Sequence, residues 1–188
     1  LTDIFLFLKR FLSAPGRIGS IVPSSRFLSR TITREVPWAE ARVIVELGPG
    51  TGVFTREILR LKRPDTAFLV IERDPQFQQK LQERFPGLLL RSEAVQLKHY
   101  LQELDLGSPD VIISGLPFAV FPPDLREAIL DQVEEALAPD GLFITFQYSL
   151  QLHQELNRRF SSVDVSFTLL NMPPAFVYSC RKSSGILA

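Results

Sequence analysis

The chain has 188 residues, 45% of them hydrophobic and 22% charged, with 21 basic and 21 acidic side chains and a net charge of zero. That balance suits a single α/β domain with a substantial core and excludes a disordered or fibrous chain. It offers no overall attraction to nucleic acid. Cys180 is the sole cysteine, so no internal disulfide is possible and a reducing compartment is the simpler expectation. His99 and His153, the two histidines, stand at no metal-ligand spacing, so no metal is expected.

The charge is uneven along the chain. Residues 1–36 carry a surplus of four positive charges, from Lys9, Arg10, Arg17, Arg26, Arg30 and Arg34 against Asp3 and Glu35. Within Thr2–Leu12, the residues Ile4, Phe5, Leu8, Phe11 and Leu12 fall on one broad helical stripe with Lys9 and Arg10 beside it. This predicts a basic amphipathic helix, suited to an anionic surface or to packing on a sheet. Ala14-Pro15-Gly16 ends it, and Pro23-Ser24-Ser25 opens a second helix running to about Glu35. No apolar run approaches the ~20 residues of a membrane-spanning helix. Ile4–Leu8 is too short for a secretion-signal core and has no basic region before it. The chain opens on Leu1, so its natural start is expected upstream.

The core begins after Trp38. Val43-Ile-Val-Glu46-Leu is apolar, β-branched and ends near an acid, which reads as a buried parallel strand. Gly48, Gly50 and Gly52 follow at alternate positions and let the backbone turn sharply beside a ligand. Helical spacing then runs over Phe54–Leu61, a second strand over Ala67–Glu72, a helix over Pro75–Phe85 and a short strand over Leu88–Arg91. A brief helix near Leu97–Leu101 precedes the strand Asp110–Gly115. The helix Pro122–Leu137, the strand Leu142–Tyr148 and a helix around Gln151–Phe160 come next. Two last strands, Val163–Leu170 and Ala175–Cys180, flank Met172-Pro173-Pro174. The alternation predicts an α/β fold with a doubly wound, mostly parallel sheet of seven strands, closed at one edge by an antiparallel hairpin.

The glycine turn resembles the first motif of the class I S-adenosylmethionine (SAM)-dependent methyltransferases. A dinucleotide fingerprint would carry its third glycine where Val53 stands. In an open sheet of this kind ligands lie across the carboxyl ends of the strands. Three strand ends carry suitable groups: Glu46 with Gly48, Gly50 and Gly52; Glu72 with Arg73; and Glu93 with Ala94. Glu46 is placed for an ammonium, Glu72 for two ribose hydroxyls, and Glu93 for an adenine amino group. Ser24 and Ser25 are candidates for the cofactor's carboxylate. The expected cofactor is therefore SAM, with S-adenosyl-L-homocysteine as its product.

After the fourth strand comes Ser114-Gly115-Leu116-Pro117-Phe118, with Phe121-Pro122 close behind. The ribosomal RNA adenine dimethyltransferases carry Asn-Leu-Pro-Tyr there, and Gly115 removes that amide. The form found here instead resembles the bacterial phospholipid N-methyltransferases that act on phosphatidylethanolamine. Gly19–Ser25, Phe146-Gln-Tyr148 and Pro173-Pro174-Ala-Phe-Val-Tyr178 agree with it. A relative acting on ornithine lipids shares much of this pattern.

The resemblance implies stepwise methylation of an aminolipid headgroup, towards phosphatidylcholine, by a cytoplasmic enzyme held peripherally on the inner membrane. It implies a phospholipid substrate, membrane contact through the N-terminal helix, and no nucleic-acid partner. Residues 1–36 are then expected to dock on the membrane and cover the cofactor site, and 37–188 to form the methyltransferase domain. Phe118, Phe121 and Tyr148 are candidate walls for the alkylammonium, and the carbonyls of Ser114 and Leu116 are candidates to orient the amine. No residue stands out as a general base. Oligomeric state is not legible.

Overall fold

A computed structural model describes the backbone of residues 24–169 and 174–184, with side chains from Leu28 onward. The predicted amphipathic helix Thr2–Leu12 lies outside the described residues. The elements run α1 (Ser24–Thr33), β1 (Val43–Leu47), α2 (Val53–Leu61), β2 (Ala67–Ile71), α3 (Pro75–Arg84) and β3 (Leu89–Arg91). Then follow α4 (Leu97–Glu103), β4 (Val111–Ser114), α5 (Pro123–Ala136), β5 (Leu142–Gln147), α6 (His153–Arg159), β6 (Ser162–Thr168) and β7 (Ala175–Arg181).

The helix ends follow local chemistry. Pro75 and Pro123 open α3 and α5, where a missing N–H costs nothing. Asp74 caps α3 by accepting from the amides of Gln76 and Phe77. Trp38 Nε1 donates to Thr33 O at 2.9 Å and so covers a free carbonyl at the end of α1.

All seven strands form one sheet in the order β3-β2-β1-β4-β5-β7-β6. The pairs from β3 to β5 are parallel, and β7 is antiparallel to both β5 and β6. The expected closing hairpin is present, with β7 rather than β6 lying against β5. The order reverses between β1 and β4, so the crevice above that pair is where a ligand finds room.

Each sheet face buries its own apolar layer. Val43, Val45 and Leu47 pack with Leu97, Leu130, Phe143 and Leu156 on one face. Ile44 joins Phe54, Ile58, Val70, Ile113 and Ile144 on the other. This double burial is why β1, β2 and β4 read as near-continuous apolar runs. Leu28, Ile32 and Val36 belong to the second layer. The stretch after Ser24 is thus built into the core of the fold. No described helix is long and apolar enough to cross a membrane.

Candidate active site

β1 leaves the sheet at Leu47, and the chain turns through Gly48, Gly50 and Gly52, whose φ values are 68°, 54° and 77°. Left-handed backbone at alternate residues is costly for any side chain larger than hydrogen. A Cβ on Gly48 would lie 2.6 Å from a Leu116 side-chain carbon, whereas one on Gly50 meets nothing within 4 Å. The tip of the turn therefore stands open towards the crevice. Gly48 N donates to Ile71 O at 2.8 Å, and Gly50 N donates to Glu72 Oε2 at 3.0 Å. Both bonds pin the turn to the end of β2.

Glu46 sits one residue inside the end of β1, fully buried and pointing to the α2 face. Thr55 Oγ1, in the first turn of α2, donates to Glu46 Oε2 at 2.7 Å, while Oε1 has no hydrogen-bond partner. Burial pushes this carboxyl up to about 8; the Thr55 bonds pull it down and the Glu72 carboxylate adds a smaller rise. A buried acid with an orphaned oxygen is expensive. A cation placed against Oε1 would satisfy it and draw off its proton.

Glu72 ends β2 with both oxygens engaged. Oε2 holds Gly50 N, and Oε1 accepts from Asp74 N at 2.9 Å. A carboxylate oxygen has a second lone pair, so Glu72 can still accept from hydroxyls while it fixes the turn. Gln78 extends from α3 to donate to the Glu72 carbonyl and to Ser92 Oγ. Arg73 Nε lies 3.5 Å from Glu93 Oε1, an exposed pair that ties the ends of β2 and β3 together. Ala94 opens a short 3-10 turn beside it, half-buried. Glu46, Gly48, Gly50, Gly52 and Glu72 thus converge on one rim, and Arg73, Glu93 and Ala94 continue it along the neighbouring strand ends.

The loop after β4 closes the other side. Gly115 N donates to Leu47 O at 2.8 Å, and a Cβ on Gly115 would lie 2.6 Å from the Gly48 carbonyl oxygen. Backbone meets backbone there, so no side chain fits. Ser114, fully buried, accepts from Leu116 N through its Oγ at 3.2 Å. Gln147 locks the loop from β5: Nε2 donates to Leu116 O at 3.0 Å, and Oε1 accepts from Ala119 N at 3.3 Å.

Two sequence expectations need correction. Phe118 is fully buried, with its ring 6.0 Å from Phe121 and 6.4 Å from Phe143 in edge-on contacts. It is core, because the 3-10 turn Phe118–Val120 rotates it under the loop. The Leu116 carbonyl is also unavailable to an amine, since Gln147 Nε2 and Phe118 N both donate to it. Phe121 and Tyr148 remain half-buried at the edge, Tyr148 in edge-on contact with Phe146 at 5.9 Å. Pro117 is half-buried between them and the glycine turn. Ser24 and Ser25 open α1, and their side chains lie outside the described residues.

Sequence reading missed Thr55, Gln78 and Gln147. Gln147 carried a faint signal, a buried amide at the end of an apolar strand. Thr55 carried another, a hydroxyl in the first turn after the acid and glycines. Nothing marked Gln78 in a polar helix.

The crevice fits a nucleoside bearing an ammonium and no phosphate: an orphaned buried acid, an open glycine tip and a hydroxyl-accepting carboxylate. A methyltransferase-domain family matches residues 45–143. An ornithine lipid N-methyltransferase from Singulisphaera acidiphila is 39% identical over 184 residues, covering 95% of this chain and 96% of that protein. A ribosomal RNA small subunit methyltransferase A from Chlorobium luteolum is 34% identical over 100 residues, 51% of this chain and 35% of that protein. The N-methyltransferase NodS from Bradyrhizobium japonicum, solved with S-adenosyl-L-homocysteine, superposes with a TM-score of 0.70 at 15% identity. That match spans 94% of this chain and 97% of that one and speaks for the fold. The chain belongs to the methyltransferase family, and its cofactor is S-adenosyl-L-methionine.

Proposed function

We propose that this enzyme N-methylates the amine of a membrane aminolipid, with an ornithine lipid as the first substrate to test and phosphatidylethanolamine as the second. The likeness to the ornithine lipid enzyme supports this reading because it runs over nearly the whole of both chains, acceptor loop included. The likeness to the ribosomal RNA enzyme stops at about half of this chain. The single observation that carries the choice is Gly115: the Gly48 carbonyl lies where a Cβ would go, so the loop has no room for an amide that would read a base.

The cofactor supplies an electrophilic methyl on a sulfonium, and the protein must present a neutral amine to it. Alkyl amines of the lysine type have a pKa of about 10.4, so the amine arrives protonated. Half-buried apolar groups at Leu116, Pro117, Phe121 and Tyr148 withhold water from the ammonium and favour its neutral form. Phe121 and Tyr148 offer ring faces to a methylated ammonium. Among the described residues no group of acids, histidines and cysteine is arranged to hold a metal ion.

In this proposal the enzyme works at the inner face of the cytoplasmic membrane, with Thr2–Leu12 as an interfacial helix. The test is lipid mass spectrometry of a heterologous host that makes both aminolipids but methylates neither. Mass gains in steps of one methylene on ornithine lipid, phosphatidylethanolamine or both are expected. Unchanged lipids together with methylated adenines in ribosomal RNA would overturn the reading.

A further inference from the structure

Five large apolar side chains among the described residues are exposed: Leu89, Leu150, Val165, Phe167 and Leu169. Leu89 stands apart on β3. The other four gather at the opposite side of the sheet. Phe167 pairs with Phe176 and Val165 with Tyr178, so these residues share a face, and Leu169 continues the same alternation beyond the end of β6. Phe167 is 51% and Leu169 73% exposed; the Phe167 ring lies 4.8 Å from that of Phe176. Leu150, 53% exposed, stands three residues beyond the end of β5.

Topology decides which end of the molecule this is. β5 runs parallel to β4 and β1, so its carboxyl end opens on the crevice. β7 begins opposite that end, with Phe176 beside Gln147, and β6 finishes there, with Thr168 beside Ala175. Leu150, Phe167 and Leu169 therefore stand on the rim that holds the acceptor loop. The chain between Leu169 and Pro174, outside the described residues, reads Leu-Asn-Met-Pro, which is itself largely apolar.

We infer that this rim is the surface by which the protein settles on a lipid bilayer, so that the headgroup amine reaches the acceptor loop while the acyl chains stay in the membrane. The inference rests on the aminolipid reading above. Each methylene drawn out of a bilayer costs roughly fourfold in partitioning, so a two-chain lipid is not captured from solution and the mouth must come to the membrane. Exposed leucine and phenylalanine beside the mouth, at positions where core packing asks for nothing, meet that requirement. This rim is distinct from residues 1–12 and adds a second membrane contact.

The test uses the full chain with mixed phosphatidylcholine–phosphatidylglycerol vesicles. The triple variant Leu150→Ser, Phe167→Ser, Leu169→Ser should lose on the order of tenfold or more in vesicle partitioning. The double variant without Phe167→Ser, which leaves the Phe176 contact intact, should lose a smaller part. Binding of S-adenosyl-L-homocysteine should hold in both, showing that each is folded. Transfer to a short-chain, monomeric aminolipid should be unchanged while transfer to the same headgroup in vesicles falls in step with binding. Undiminished vesicle partitioning of the folded triple variant overturns the inference. So does a halving of particle mass with partitioning intact, which would assign the rim to a second copy of the chain. Absence of transfer to either lipid form by the unaltered protein counts against the aminolipid reading instead, and vesicle partitioning is read without it.

Discussion

Glu46 shows how one buried atom sets a pH dependence. Its carboxyl is pushed up to about 8, chiefly by burial, against about 4.3 in an unfolded chain. Between those values the folded protein holds a proton that the unfolded chain has released. Stability of the cofactor-free protein should therefore fall as pH rises through that window, by up to about 1.4 kcal/mol per unit, and level off above it. Cofactor binding carries the opposite sign. An ammonium against Oε1 favours the ionised acid, so affinity for S-adenosyl-L-homocysteine should climb about tenfold per pH unit at most from pH 6 to 8. Glu46→Gln should flatten both profiles and weaken binding by at least about tenfold. Calorimetric titration and thermal melts across that pH range check this. A Glu46→Gln protein with the parent's slopes would assign the proton elsewhere.

At the scale of elements, the acceptor loop is held by a neighbour rather than by its own sequence. Gln147 satisfies one carbonyl and one amide of that loop from β5, and Gly115 lets it lie against Gly48. Gln147→Leu keeps the size but leaves Ala119 N without this partner, at about 1–2 kcal/mol of stability. The larger effect should be kinetic: kcat down about 10- to 100-fold through a loosened acceptor position, with S-adenosyl-L-homocysteine affinity within about twofold. Gln147→Glu should do no better, because an ionised carboxylate cannot donate to Leu116 O. Equal losses in kcat and cofactor affinity would mean that the whole mouth had collapsed.

The same elements show what the sequence made legible. Every described strand and helix was anticipated to within a few residues, because β1, β2 and β4 are buried on both faces and read as unbroken apolar runs between glycine and proline signals. Glu46, Glu72 and the glycines were legible because each is a polar or flexible residue at the end of such a run. The insertion of β7 between β5 and β6 was not, since both strands have similar patterns and pairing order is a tertiary fact. Phe118 was misassigned because an aromatic in a loop has no periodicity by which to separate lining from core. The reach of Gln147 across to the next strand end leaves no trace in spacing.

At the scale of the whole molecule, charge and amphipathicity mark residues 1–36 as one segment, yet packing divides it. Leu28, Ile32 and Val36 are 4%, 0% and 5% exposed, in one layer with Phe54, Ile58 and Ile144. Ile32→Ala should cost about 2–5 kcal/mol, read as a fall of roughly 5–15 °C in Tm. Deleting residues 1–36 strips all three side chains from that layer. Against a total stability of about 5–15 kcal/mol, that loss should leave little cooperative unfolding. Deleting residues 1–12 touches none of them. That protein should melt cooperatively and bind S-adenosyl-L-homocysteine within about twofold of the parent, while its vesicle partitioning drops. A cooperative melt from the 37–188 fragment would show that the domain boundary falls at Val36 after all.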